Sequence, residues 1–545
     1  MNARSDIPKL DRAKACFDLK QDHLFDLLVI GGGATGLGIA LDASLRGLSV
    51  ALVEQHDFAK GTSSRATKLV HGGVRYLAQG NIKLVKEALN ERKSILDNAP
   101  HLARPIPFLM PTYGLKGRYF DNGFYGLGLK IYDLLAGAKS LGKTIFLNKE
   151  RTQDLIPGIE QQNLNGSIQY WDGQFDDSRL AVSLARTATK AGATILNHCK
   201  VTNIKHLNDK ASGAIVTDQI SKESWSIRAK CIINATGVWV DDLIKLDQPS
   251  AKKLVSPSQG IHLTVDRCFW PGNHALLIPK TTDGRVLFAV PWLGKVILGT
   301  TDTPREHIEE EPSALDEEIS FILNEAGKYL AKKPILKDVR SIWAGVRPLV
   351  KPTEDNTGNT KTISREHTII ISETGLVSVT GGKWTTYRSM AEDTLDKCIA
   401  AGLISTSNIC TTSNHPLVGA EGVTTGDLIN DASLALYGNE SPIVSALPGN
   451  TNQLADGLTE SMIRFGIRYE GAMTIEDILA RRSRLLFLDA KKALKIANEV
   501  ANILEDEIGD SYNRHQDLAD FTITAQKYVP IKGNPEESSS STKVA

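Results

Sequence analysis

The stretch from Phe25 to Glu54, FDLLVIGGGATGLGIALDASLRGLSVALVE, constrains this chain more than any other. Its apolar run from Leu27 to Ile30 stops at Gly31, and Gly33 and Gly36 complete a GxGxxG pattern that opens a helix with Ala40 and Ala43 on its inner face. The pattern predicts a strand, a tight turn and a helix. Gly31 permits the turn, Gly33 lets backbone approach a pyrophosphate, and Gly36 lets helix and strand pack closely, so that phosphates meet the amide end of the helix dipole. A second apolar strand, Val50 to Val53, ends in Glu54, where a carboxylate accepts from ribose hydroxyls. A Gly-rich turn of structural purpose alone would leave Glu54 unexplained. The fingerprint by itself fits FAD and NAD equally.

A chain of 545 residues can fill the cores of two or three domains. Lys and Arg number 63 against 63 Asp and Glu, so no global basic field points to nucleic acid as a partner. The cysteines Cys16, Cys199, Cys231, Cys268, Cys398 and Cys410 are scattered, with neither a CxxC pair nor metal-ligand spacing. They read as reduced, buried thiols of a cytosolic protein, and no metal is expected. The first 25 residues lack the apolar core of a signal peptide, and no apolar run approaches membrane-spanning length. Membrane contact, where it occurs, is expected to be peripheral.

After Glu54, Ser63 and Ser64 sit where hydroxyls can reach cofactor phosphates. The block GTSSRATKLVHGGVRYL fixes Ser63, Ser64, Lys68, His71, Gly72, Gly73, Arg75 and Tyr76 in order. Together with the opening motif it resembles the FAD-dependent glycerol-3-phosphate dehydrogenases. The resemblance covers Phe25 to about Leu395 strongly and the remainder more loosely, and it implies FAD as the dinucleotide.

Further along, helical spacing runs from Leu84 to Ala99 and from Asp176 to Ala191. An alternating strand with Val201 and Ile204 is placed to present backbone to the adenine, and an apolar strand breaks into Ala235, Thr236 and Gly237 as a second close approach to the nucleotide. Ser256 to Asp302 alternates with turns, including Asp283-Gly284, and predicts an antiparallel sheet facing the substrate. From Ser364 a strand pair, a Gly-Gly turn and a helix starting near Thr385 or Thr386 bring amides of Gly381 and Gly382 to the flavin. Lys116 to Lys143 mixes aromatics (Tyr119, Phe120, Phe124, Tyr125, Tyr132) with lysines, a pattern shared by interfacial membrane helices and by amphipathic helices packed on their own domain. The fold class expected is α/β: an FAD-binding Rossmann-like domain, an antiparallel substrate-domain sheet and a C-terminal helical domain. Its divisions are an arm over 1–24, the FAD-binding domain over 25–400 with the substrate domain interleaved at roughly 100–170 and 256–345, a helical cap over 405–530, and a disordered tail over 531–545.

Oxidising a secondary alcohol through a flavin needs hydride acceptance and a base for the hydroxyl proton, and a phosphorylated substrate needs cations. By resemblance, Arg75, Tyr76, Arg347, Arg365 and Lys383 form the substrate-contacting set. The cofactor set is Gly31, Gly33, Gly36, Glu54, Ser63, Ser64, Val201, Ala235, Gly237, Gly382 and Thr385. His71 and His262 are both candidates for the base, and Arg347 can stabilise the developing alkoxide. The function expected is oxidation of sn-glycerol 3-phosphate to dihydroxyacetone phosphate with electrons passed to a quinone, by a cytoplasmic protein attached at the inner face of the cytoplasmic membrane. An oxidase returning electrons to oxygen shares every motif named. A flavin-binding redox sensor without turnover would not need the cationic set. Self-association as a homodimer is left open by the sequence.

Overall fold

The computed structural model describes residues 7–73, 81–114, 122–350, 367–424, 427–430 and 433–530. Arg75, Tyr76 and Arg365 lie outside the described residues, as do Tyr119, Phe120 and the 531–545 tail.

Two large sheets organise the described chain. In the first, the opening strand Leu24–Ile30 lies between Ser224–Asn234 and Val50–Val53, both parallel to it, with Leu27 opposite Cys231 and Val50. Val377–Gly381 extends the parallel core beyond Asn234, and Thr194–Leu196 extends it beyond Val53. Strands buried on both faces read as continuous apolar runs, which is why Leu27, Leu28, Val29 and Ile30 carry no alternation. An antiparallel hairpin, Cys199–Leu207 with Lys210–Asp218, joins the sheet edge-on through Ser224–Asn234.

The second sheet has ten strands and is built around Val255–Asp266, Val339–Val350, Ala103–Tyr113 and Leu164–Phe175. It is antiparallel, as the alternation predicts, except where Ala275–Ile278 runs parallel to Ala103–Tyr113. That junction joins segments far apart in the chain, so no hairpin pattern announces it. The Asp283-Gly284 turn does form, with Gly284 at φ +81° and its amide bonded to the Thr281 carbonyl at 2.9 Å.

The helices expected over 84–99 and 176–191 are Ile82–Asn98 and Asp177–Lys190, capped by Asn81 and Asp176. The helix after the Gly-Gly turn begins at Tyr387, following a single 3-10 turn Trp384–Thr386. In the C-terminal region Glu460–Glu470, Ala490–Ile508 and Arg514–Gln526 are helices. Their apolar stripes, such as Ala493, Ile496, Val500 and Leu504, join Leu27, Val29, Leu37 and Leu41 in one continuous core. Thr474 and Asp477 do start a helical turn: Asp477 N donates to Thr474 Oγ1 at 3.1 Å. That turn is π-helical, Asp477–Arg482, and Arg484 at φ +66° ends it.

One expectation is corrected. The cysteines are not uniformly buried: Cys199, Cys231 and Cys398 are, whereas Cys268 is exposed and Cys16 and Cys410 are partly so. Within Lys116–Lys143, where the sequence leaves membrane and internal packing open, Tyr132 packs inward. It is 1% exposed, and its hydroxyl donates to Asp172 at 3.2 Å on the inner face of helix Asn122–Ala136.

The tightest constraint is the contact of the opening helix with its own strand. A Cβ on Gly36 would lie 1.9 Å from the Gly31 carbonyl oxygen, a backbone atom with nowhere to retreat. Gly36→Ala should therefore destabilise the protein by about 3 kcal/mol, the upper end of overpacking effects, read as a lower urea midpoint. An unchanged midpoint would show that the helix is not held against the strand as described.

Candidate active site

At the carboxyl ends of the parallel strands lies a cavity of about 680 Å³. Open α/β sheets bind ligands at this edge. Of the cofactor residues expected, Gly31, Gly33, Glu54 and Ser63 line it from the first βαβ unit, and Val201, Ala235, Gly237 and Gly382 line it from the later strand ends. Gly33 is the N-cap of helix Ala34–Leu45 and brings no side-chain acceptor to the first-turn amides. Ser63 Oγ accepts from Ala34 N at 3.0 Å, which fixes this hydroxyl at the positive helix end. The Glu54 carboxylate accepts from Gly32 N at 2.6 Å and His56 N at 2.9 Å, so two backbone amides aim it at the cavity wall.

Three of the expected cofactor residues do not line the cavity, and neither do His71, His262 and Arg347. Gly36 lies behind it, against the Gly31 backbone. Ser64 is 1% exposed with a buried hydroxyl, because the 3-10 turn Thr62–Ser64 points successive side chains to different sides. Its carbonyl instead accepts from Lys68 Nζ at 2.7 Å and Arg484 at 2.8 Å. Thr385 is also buried, and its hydroxyl accepts from His71 N at 3.3 Å. This bond ties the segment bearing His71 to the segment bearing Gly382 and Lys383.

Lys383 lines the cavity, as does Pro348 next to Arg347. Arg347 lies on the second sheet, where Ser258 pairs with Arg347 and His262 with Trp343. Period-two alternation puts His262 and Arg347 on one face of the paired strands. Arg347 donates to the Thr301 carbonyl at 3.0 Å and Thr300 Oγ1 at 3.2 Å, with Asp302 at 3.3 Å. His262 stacks on Trp343 with ring centroids 5.2 Å apart, and its Nε2 lies 2.9 Å from Thr67 Oγ1. Burial, with Lys68 and Arg347 nearby, holds its pKa well below the ordinary histidine value. The ring is therefore neutral at physiological pH, and its buried Nδ1 has no hydrogen-bond partner among the described residues.

The sequence picks out the block from Gly61 to Gly73 but not its part in joining cavity and sheet. Thr62 Oγ1 donates to the Val346 carbonyl at 2.6 Å and Arg65 to the Ala344 carbonyl at 2.8 Å, laying residues 61–73 across the face bearing His262. Trp384 Nε1 donates to the Ser63 carbonyl at 2.7 Å and lines the cavity. Beneath the segment, Lys68 is fully buried between Asp177, at 2.7 and 2.9 Å, and the rings of Trp292, Trp343 and Phe487. Burial, with the Arg484 guanidinium close by, pushes the Lys68 ammonium down to about 7.

These features fit a dinucleotide with pyrophosphate at Gly33 and Ser63 and ribose at Glu54. FAD, when bound, supplies acceptance of two electrons. The chain's own part is to bind it, keep His262 neutral, and place Lys383 and Arg347 at the two sides of the join.

Comparison with known proteins agrees with this geometry. The FAD dependent oxidoreductase family matches residues 26–388, and the C-terminal domain of alpha-glycerophosphate oxidase matches residues 410–515. The chain is 39% identical to a probable mitochondrial glycerol-3-phosphate dehydrogenase of Dictyostelium discoideum, over 88% of this chain and 80% of that protein. It is 38% identical to the mitochondrial glycerol-3-phosphate dehydrogenase of Homo sapiens, over 94% of this chain and 74% of that one. A crystal structure of glycerol-3-phosphate dehydrogenase from Bacillus halodurans complexed with FAD superposes with a TM-score of 0.77 at 29% identity, covering 96% of this chain and 99% of that one. The cradle and the relatives converge: the chain belongs to the FAD-dependent glycerol-3-phosphate dehydrogenase family.

Proposed function

We propose that this glycerol-3-phosphate dehydrogenase oxidises sn-glycerol 3-phosphate to dihydroxyacetone phosphate and delivers the two electrons to a membrane quinone. The observation that carries the chemistry is the neutral, buried His262 sharing a sheet face with Arg347, while Lys383 borders the cofactor cavity. The substrate loses a hydride from C2 and the proton of its hydroxyl. We assign this proton to His262, whose Nε2 lies 2.9 Å from Thr67 Oγ1, with His71 the alternative, and Arg347 stabilises the oxygen as charge develops on it. Lys383 supplies a compact charge for the phosphate. Arg75, Tyr76 and Arg365 complete the substrate set by resemblance, and His71 supports it through its backbone bond to Thr385.

The quinone reading draws support from the surface of helix Asn122–Ala136 and strand Ile145–Asn148. Leu134 is 80% exposed, Ile131, Ile145 and Phe146 are also exposed, and Lys130 Nζ lies 5.2 Å from the centre of the Phe146 ring. Among the described residues no helix is long and apolar enough to cross a membrane. An apolar patch edged by lysine suits the interface of an anionic bilayer. The relatives' names place them in mitochondria, so we take the membrane to be one that holds quinone rather than tie the chain to a cytoplasmic location. The match of residues 410–515 to a glycerophosphate oxidase domain favours the second reading, oxygen as acceptor. A homodimer is compatible with either.

Steady-state turnover of glycerol 3-phosphate with a soluble quinone should exceed turnover with oxygen by at least about tenfold. In the same assay His262→Ala should lower kcat by about 10²- to 10⁴-fold, the usual worth of a general base, with little change in KM. Oxygen consumption matching the quinone rate would assign the chain to the oxidases, and a kcat loss confined to His71→Ala would move the base to His71. In cosedimentation with anionic vesicles at low salt, Leu134→Ser combined with Lys130→Gln should weaken binding about tenfold. Unaltered cosedimentation would assign this surface to another role.

A further inference from the structure

The π-helical turn Asp477–Arg482 of the C-terminal domain is buried throughout, and it packs against the back of the cofactor cradle. Arg482 grips Asp57 with two nitrogens, at 2.7 Å to Oδ2 and 3.0 Å to Oδ1, and Arg481 Nε also donates to Oδ2. The other guanidinium nitrogens of Arg481 reach Glu476 and Asp477, each at 2.7 Å. Glu476 in turn accepts from Lys60 Nζ at 2.8 Å. Asp57 and Lys60 belong to the loop that lines the cavity through Glu54, Gln55, His56 and Lys60 itself.

The same turn reaches the opposite wall. His198 Nε2 lies 2.9 Å from Asp477 Oδ2, and Asn197 Nδ2 donates to Asp57 Oδ1 at 3.1 Å. The residues that follow at once, Cys199, Lys200 and Val201, line the cavity. Asp57, His198 and Asp477 have ligand atoms within 4.8 Å of one another, a spacing that a metal ion could use. Every carboxylate oxygen among them already accepts from an arginine, an asparagine, the histidine or a backbone amide, so no position is left for a cation.

A buried charge network of this kind is a poor source of net stability, because desolvation offsets most of the attraction. What it does provide is fixed geometry on two walls at once, and π-helical turns concentrate at sites of function. We infer that Asp57, Arg481, Arg482 and His198 are positioning residues through which the C-terminal helical domain sets how tightly the adenosine half of FAD is held. None of the four lines the cavity. They act by holding the Glu54–Gly61 loop and the Cys199–Val201 strand at the separation the nucleotide needs.

The test is FAD release from holoenzyme, followed by the rise of free-flavin fluorescence on dilution well below the unfolding temperature. Asp57→Asn should release FAD about ten- to a hundredfold faster, the scale of one lost charged hydrogen bond. His198→Gln, a milder change, should also speed release by several-fold, with turnover per bound flavin kept in both variants. The control is Arg186→Gln, which breaks another buried pair between the two regions, Arg186 with Glu440 at 2.6 and 2.7 Å. It should lower the unfolding temperature and leave release at the native rate. Native release rates in Asp57→Asn and His198→Gln, or faster release in Arg186→Gln to the same degree, would overturn the inference. Should Asp57→Asn fail to fold, native release from His198→Gln alone would overturn it.

Discussion

Two backbones touching without side chains between them set the geometry on which the rest depends. A side chain on Gly36 would meet the Gly31 carbonyl, and one on Gly31, at φ +112°, would meet the Ala235 carbonyl at 2.6 Å. The contact stacks the helix start on the ends of two adjacent parallel strands. The amide end of the helix dipole then faces the crevice beyond Ile30, Val53 and Asn234, and so does every chain segment that follows a strand there. Binding of a pyrophosphate is thus a consequence of how closely this βαβ unit packs.

The second requirement is a rigid join between that crevice and the sheet bearing His262 and Arg347. Residues 61–73 supply it, hydrogen-bonded to strand Val339–Val350 on one side and pinned below by Lys68. Lys68 and Asp177 are both 0% exposed, with Arg484 at 3.2 Å from Asp177. Removing one member would strand a buried charge, which typically costs about 3–5 kcal/mol, so the segment has one arrangement rather than several. Cofactor cradle, second sheet and C-terminal domain meet at this cluster.

How much of this could be read from the chain follows from how local each feature is. Gly31, Gly33, Gly36 and Glu54 belong to one supersecondary unit whose spacing encodes its geometry, and the cradle holds them where that spacing says. Ala235 and Gly382 were legible because each sits where an apolar strand ends, and Val201 because it lies on an alternating strand. Ser64 and Thr385 were misplaced because a 3-10 turn sends neighbouring side chains to opposite sides, a distinction that composition does not carry. The stacking of His262 on Trp343 depends on the register of strands far apart in sequence. So does the meeting of Asp57 with Arg481 and Arg482, whose partners are separated by more than four hundred residues. The side Tyr132 takes was left open because an amphipathic helix has the same periodicity whether its apolar face meets lipid or protein.

The central claim is that this cavity holds a flavin which glycerol 3-phosphate reduces directly. Mixing the purified holoenzyme with sn-glycerol 3-phosphate under strict exclusion of oxygen, and following the visible absorbance of the oxidised flavin, tests it without reference to any acceptor. The account predicts that the absorbance is lost in a single fast phase with glycerol 3-phosphate and persists with glycerol, which lacks the phosphate. An absorbance unchanged by glycerol 3-phosphate, or bleached equally by both alcohols, would contradict it.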